Sequence, residues 1–109
     1  MRCAPRPRPL LSADLTITRS QSAAAGCYSV QIGTDEAVLE YRVIGPGQID
    51  AYRTFVPPVF RGSGVALALV ARLVADARAE GMQIIPSCSY VAVQRDRHRD
   101  WADAFAPKD

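Results

Sequence analysis

Histidine and cysteine are scarce in this 109-residue chain, which has one histidine and three cysteines. The cysteines Cys3, Cys27 and Cys88 form no Cys-x-x-Cys pair, so the usual ligand pattern of a structural zinc site is missing. Their odd number makes no disulfide framework, and no spacing pattern assigns a partner to Cys3 or Cys27. An odd set of thiols favours a reducing compartment, and we predict a cytoplasmic protein.

Long apolar runs and a strong excess of one charge are also missing. No stretch approaches the ~20 apolar residues of a membrane-spanning helix. The opening segment MRCAPRPRPLLS lacks the continuous apolar region of a signal peptide. The net charge of +2 does not supply the basic surface that nucleic-acid binding requires. We therefore expect neither a membrane nor a nucleic acid as partner.

Hydrophobic residues make up 49% of the chain, which is enough for one core in a domain of this length. Residues 1–13 alternate prolines with arginines, and such a segment does not bury itself. The sequence therefore predicts a flexible tail over 1–13 and a single domain over 14–109.

Four stretches in which apolar and polar residues alternate predict strands. They span 15–20, 27–33, 36–44 and 48–56. Gly45-Pro46-Gly47 predicts a turn between the third and the fourth. Pro57-Pro58 predicts the end of the fourth strand, because proline has no N–H to donate to a ladder. The first half of the chain is therefore expected to form an antiparallel meander.

The hydrophobic period then changes to that of a helix over 65–80. Arg72, Asp76 and Glu80 lie four residues apart on its polar side, where we expect them to pair in water. Gly81 is placed as a C-terminal cap. The predicted buried face carries Val65, Leu69, Val70, Leu73, Val74 and Ala77.

A short apolar stretch, 82–88, predicts a fifth strand after this helix, and Ser89 is a candidate cap for a last helix that runs to about Arg97. A strand, a helix and a second strand in this order form a crossover that places the two strands parallel. The sequence therefore predicts an α+β fold whose mixed sheet combines an antiparallel meander with one parallel βαβ crossover.

The helix at 65 begins on the segment Arg61-Gly62-Ser63-Gly64-Val65-Ala66. Backbone N–H groups at a helix start lack intrahelical partners and attract anions, and glycines let a ligand approach closely. The segment fits the pattern R-x-x-G-x-A, which resembles the pyrophosphate-binding loop of GCN5-related N-acetyltransferases. The alternative is that these glycines only make the turn into the helix.

Further motifs strengthen the resemblance to this superfamily, and in particular to its small YjdJ-type family of N-acetyltransferase domains. The family carries V-P-P in front of the loop, P-x-C after the next strand and a closing Y-V-A…R-H stretch. This chain has Val56-Pro57-Pro58, Pro86-Ser87-Cys88, Tyr90-Val91-Ala92 and Arg97-His98 at those places. The resemblance implies a minimal acetyltransferase fold over 15–105.

The resemblance implies acetyl-CoA as the acyl donor and an amine as the acceptor. The implied coenzyme-binding residues are the strand end Phe55 and Val56 and the six loop residues 61–66. The family has His-Thr-Glu in front of V-P-P, where this chain has Arg53-Thr54-Phe55. Because binding can survive that change without turnover, the alternative function is a non-catalytic acyl-CoA-binding or protein-interaction module. A homo-oligomer is compatible with either function.

Two residues are candidates for the chemistry of transfer. Cys88 falls where the thioester enters such a site, and its sulfur could accept the acyl group or act as a base. Tyr90 could protonate the leaving coenzyme sulfur. The alternative for both side chains is packing in the core.

Overall fold

The computed structural model of the protein describes residues 17–32, 34–60 and 64–107. Within these ranges the chain forms five strands and two α-helices. The strands are β1 (Thr18–Gln21), β2 (Ala25–Ile32), β3 (Asp35–Gly45), β4 (Gln48–Phe55) and β5 (Gln83–Ile85). The α-helices are α1 (Val65–Glu80) and α2 (Ser89–Arg97), and short 3-10 helices span Pro58–Phe60 and Arg99–Ala104.

The strands form one mixed sheet in the order β1-β2-β3-β4-β5. The first four pair antiparallel with their neighbours in sequence, and β5 pairs parallel with β4 after the crossover through α1. This arrangement confirms the α+β fold, the meander and the parallel crossover. Strand β5 is shorter than predicted, because Pro86 follows it and cannot donate to a ladder.

Helix α1 packs its apolar stripe on one face of the sheet, against β2, β3 and β5. Its six buried residues are the six that the helical period predicts. They join buried side chains of the sheet, including Tyr28, Leu39 and Ile84, and Val91 of α2 in one core. Burial of each large aliphatic side chain contributes about 2 kcal/mol to the free energy of unfolding, so this stripe fixes α1 on the sheet.

The sequence analysis expected the polar side of α1 to face water, but this side also contacts other parts of the protein. The Arg72 Nε–Asp76 Oδ2 pair does form, at 3.1 Å. However, the same carboxylate oxygen also accepts hydrogen bonds from the Tyr28 hydroxyl at 2.9 Å and from Arg19 Nη1 at 3.3 Å. Arg19 further binds Glu80 through both of its terminal nitrogens. Strand β1 is thereby tied to the C-terminal half of α1.

The predictions about domain boundaries, membrane spans and cysteines have different outcomes. The tail over 1–13 lies outside the described residues, and the domain boundary at 14 stays a prediction. None of the helices in the described ranges is long and apolar enough to cross a membrane. Cys27 is disulfide-bonded, a pairing for which the sequence pattern gave no signal. Cys88 is a free thiol.

Candidate active site at the opening between β4 and β5

Strands β4 and β5 stay together for only a short distance. Their ladder joins Gln48 to Gln83, Ile49 to Ile84 and Asp50 to Ile85. Strand β4 then continues to Phe55, paired with β3 but no longer with β5. Among the described residues, the last backbone hydrogen bond across the gap runs from Cys88 N–H to the Ala51 carbonyl, at 2.9 Å. Beyond Ala51, none of the described strands pairs with the β5 side of β4, and such a free edge can bind an extended ligand.

A bulge lies in β4 at the point where the two strands separate. Glu40 of β3 pairs with Arg53 and Tyr41 pairs with Ala51, so Tyr52 is an extra residue on β4. A bulge bends its strand and changes the direction of the side chains that follow. Strict alternation from the buried Ala51 would turn Arg53 and Phe55 toward the core.

The bulge turns Thr54 toward the helices instead. Thr54 lies opposite Leu39, which is fully buried in the core beneath α1. Arg53 and Phe55 lie on the other face, where about half of the Phe55 side chain is exposed and Arg53 Nη1 lies 3.3 Å from Glu40 Oε1. The two positions at which this chain departs from the His-Thr-Glu pattern are therefore on the far face of the sheet.

Cys88 lies at the mouth of the opening, held from two directions. Its backbone N–H binds β4, as described above, and its Sγ donates to Thr54 Oγ1 at 3.3 Å. Cys88 is also the N-cap residue of α2, so the prediction that Ser89 caps this helix is wrong by one position. The structure thus brings the thiol, a hydroxyl and the start of a helix together.

Tyr90 follows in the first turn of α2 and is half-buried against the core. Burial raises the pKa of its hydroxyl, an effect that the positive charge of Arg97 partly opposes. Tyr90 is therefore protonated at neutral pH, as a proton donor must be. Its ring packs against the core, and its role as the proton donor stays a prediction.

The N-terminus of α1 is the second part of the candidate site. Gly64 is the N-cap residue with φ 84°, a left-handed conformation that favours glycine. Because glycine has no side chain, it cannot cap the first-turn N–H groups of Val65 and Ala66. No acidic residue lies in that turn. These features fit an anionic ligand such as a pyrophosphate.

The remaining residues predicted to contact the coenzyme lie only partly within the described ranges. Arg61, Gly62 and Ser63 lie outside the described residues. Val56 is half-buried against the core, directly after the open edge of β4. The Val65 side chain is 1% exposed, so only its backbone is available to a ligand.

The arginine-rich segment near the end of the chain lies away from this opening. His98 ends α2 and its ring stacks on Trp101, with the ring centroids 4.2 Å apart. Arg95 and Arg99 line a surface cleft with Phe105. Cys88 is at the opposite end of α2, about 13 Å away along a nine-residue helix.

Sequence reasoning missed the bulge and the hydrogen bond between Cys88 and Thr54. The bulge arises from the register between β3 and β4, and no glycine or proline marks Tyr52. One signal was present, since the break after Phe55 and the P-x-C segment placed the end of β4 and Cys88 near each other. It did not show that Thr54 would be the residue to face the thiol.

A mixed sheet whose parallel pair separates beside a helix N-terminus fits the minimal acetyltransferase fold that the sequence motifs imply. The family model of GCN5-related N-acetyl-transferases matches residues 27–104. The chain therefore belongs to the GCN5-related N-acetyltransferases, which generally use acetyl-CoA as cosubstrate. The narrower YjdJ-type assignment stays a prediction.

A solved structure agrees with the fold. The chain is similar to a GCN5-like protein from Staphylococcus aureus whose solution structure was determined by NMR, with a TM-score of 0.71 and 21% sequence identity. The match covers 89% of this chain and 93% of the other. At that identity the similarity supports the fold, while the site rests on the residues described above.

Proposed function

We propose that this protein transfers an acyl group, normally acetyl, from acyl-CoA to an amine. The observation that carries the proposal is the opening between β4 and β5, where an unpaired strand edge meets the free thiol of Cys88. Membership of the family favours acyl transfer over the alternative of a non-catalytic binding module.

The coenzyme is proposed to enter along the face of the sheet that carries α1. Its pyrophosphate binds the backbone N–H groups of Val65 and Ala66, helped by the helix dipole and by the loop residues 61–63. The pantetheine amides pair with the free edge of β4 as an added strand would. Backbone donors near Val56 polarise the thioester carbonyl.

Cys88 is proposed to accept the acyl group. Its sulfur attacks the carbonyl carbon, the bond from that carbon to the coenzyme sulfur breaks, and the acyl group remains on Cys88. Tyr90 donates a proton to the leaving sulfur and regains one from the Cys88 thiol, so the coenzyme leaves as a neutral thiol.

The second step returns Cys88 to its starting state. A neutral amine attacks the acyl carbon, the carbon–sulfur bond to Cys88 breaks, and one amine proton moves to the sulfur. The products are an amide and the free thiol. The acceptor is proposed to approach from the far face of the sheet, past Arg53 and Phe55, because α1 and the coenzyme occupy the other face.

Incubation of the full chain with acetyl-CoA, without amine, tests this proposal. Intact-protein mass spectrometry should show the mass of one acetyl group, and peptide analysis should place it on Cys88. Cys88→Ala should fold, bind CoA in a calorimetric titration and carry no acetyl group. Transfer to a panel of amines at the native rate by Cys88→Ala would contradict the role of the thiol.

A further inference from the structure

The segment of β4 after the bulge places one polar side chain against the thiol. Thr54 lies opposite Leu39 on the core face of the sheet, and its hydroxyl accepts the hydrogen bond of the Cys88 thiol at 3.3 Å. Both side chains are half-buried, so water competes only partly for this contact. Without the extra residue Tyr52, Thr54 would point to the far face.

The backbone restricts Cys88 as well. Its N–H is bound to Ala51 of the same strand, three residues before Thr54, and its carbonyl accepts the N–H of Ala92 at 3.0 Å as α2 begins. The main chain on both sides of the sulfur is therefore fixed relative to β4. The remaining freedom is rotation about the Cα–Cβ bond of Cys88, and the hydrogen bond to Thr54 selects one rotamer.

We propose that Thr54 is the positioning residue of the Cys88 thiol. In the resting protein its hydroxyl oxygen accepts the S–H and aims the sulfur into the opening. When the sulfur gives up its proton during acyl transfer, the hydroxyl rotates and donates to the sulfur. A hydroxyl is able to do both, since it has one donor and two acceptor lone pairs. Thr54 itself forms no bond to the acyl group.

A positioning role for Thr54 in catalysis rests on the proposed function, but the test of this inference does not need the coenzyme. The rate at which iodoacetamide alkylates Cys88 in the full chain is measured by peptide mass spectrometry at neutral pH. Thr54→Val removes the hydroxyl and keeps a branched side chain. We expect alkylation about fivefold to tenfold slower, since a hydrogen bond to a charged group is lost.

Rescue separates positioning from packing. Thr54→Ser keeps the hydroxyl and loses the methyl group, so it should restore alkylation to within about twofold of native. Ser87→Ala is the matched control, because Ser87 is exposed and adjacent to Cys88 in sequence; its rate should equal native. Circular dichroism checks folding, and Thr54→Ala replaces Thr54→Val in the comparison if the valine variant does not fold.

Two results would overturn the inference: a native alkylation rate in the folded Thr54→Val or Thr54→Ala variant, or a Thr54→Ser rate as slow as theirs. Calorimetry with CoA on the same proteins keeps the two proposals apart. Failure of the native protein to bind CoA would remove the proposed function while the alkylation rates still decide the role of Thr54. If transfer is observed, Thr54→Val should lower kcat and leave KM for the coenzyme within about twofold.

Discussion

The two ends of α1 have the same backbone conformation but differ in what surrounds them. Gly64 at the start has φ 84° and Gly81 at the end has φ 68°. Gly81 donates its N–H to the carbonyls of Ala77 and Arg78, and the Met82 N–H also binds Ala77, at 2.9 Å. At the other end Gly64 has no side chain to cap the first turn. Backbone hydrogen bonds of the protein therefore cap the C-terminal end of α1.

The two ends of α1 also differ in their charged residues. Asp76 and Glu80 lie in the C-terminal half of α1, where negative charge opposes the helix dipole, and Arg19 binds both. Arg78 reaches Asp103 at 2.6 Å. The first turn carries no acidic residue. The C-terminal end of α1 therefore stabilises the fold, whereas no described side chain caps the N-terminal end.

Replacement of Arg19 should have the largest effect on stability. Arg19→Met leaves Asp76 and Glu80 without their shared cation and removes the hydrogen bond to Tyr41. We expect a loss of about 2–3 kcal/mol and a Tm lower by roughly 10 °C, measured by thermal and urea unfolding. CoA affinity of the folded protein should not change.

A surface arginine provides the control for this variant. Arg42 is more than half exposed and lies 3.8 Å from Asp50, so Arg42→Met should cost about 0–1 kcal/mol. Equal losses in the two variants would show that the Arg19 cluster is no more than a set of surface pairs.

Two neighbouring side chains at the N-terminal end of α1 should differ clearly. Val65 is 1% exposed and Leu67 is 37% exposed. Val65→Ala should lower the free energy of unfolding by about 2 kcal/mol through the cavity it leaves, and Leu67→Ala by less than about 0.5 kcal/mol. Urea unfolding measures both. A larger loss for Leu67→Ala would mean that this end packs against more of the chain than described.

Tyr28 should make the C-terminal end of α1 sensitive to alkali. Burial raises the pKa of its hydroxyl, and the hydrogen bond to Asp76 adds to the effect. The folded protein then keeps a proton that the unfolded chain loses above about pH 10. The contribution of the protonated Tyr28 hydroxyl to the free energy of unfolding is therefore fully present below about pH 10 and is lost as the pH rises further.

Tyr28→Phe tests that expectation. Loss of the hydroxyl should cost about 1 kcal/mol at neutral pH and should flatten the decline of stability between about pH 9 and pH 11. Urea unfolding across that range is the measurement. A smaller decline of stability should remain in the variant, because the pKa of Tyr90 is also raised. An unchanged alkaline decline in Tyr28→Phe would contradict the assignment.

Local sequence patterns predicted most of the fold. The 3.6-residue period identified every buried residue of α1, and Gly81 was recognised as its cap, because both depend on residues near one another in the chain. The crossover followed from the order of strand, helix and strand. The motif at Arg61–Ala66 predicted where α1 begins, although three of its residues lie outside the described ranges, and its role in coenzyme binding stays a prediction.

What the sequence did not reveal depends on contacts between distant segments. Arg19 and Asp76 are 57 residues apart, and no local pattern links them. The bulge at Tyr52 depends on how β3 and β4 align, so the faces of Arg53, Thr54 and Phe55 could not be predicted from β4 alone. That bulge decides which of the three residues meets Cys88.

The central claim is that the N-terminal end of α1 binds the coenzyme, and the two cap glycines test it most directly. A Cβ added at either Gly64 or Gly81 has no neighbour within 4 Å among the described residues, and each glycine has a positive φ that costs a side chain about 1–2 kcal/mol. Gly64→Val and Gly81→Val should therefore lose similar stability. In calorimetric titrations with CoA we expect native affinity for Gly81→Val and no detectable binding for Gly64→Val. Native affinity in a folded Gly64→Val, or equal loss in both variants, would contradict the claim.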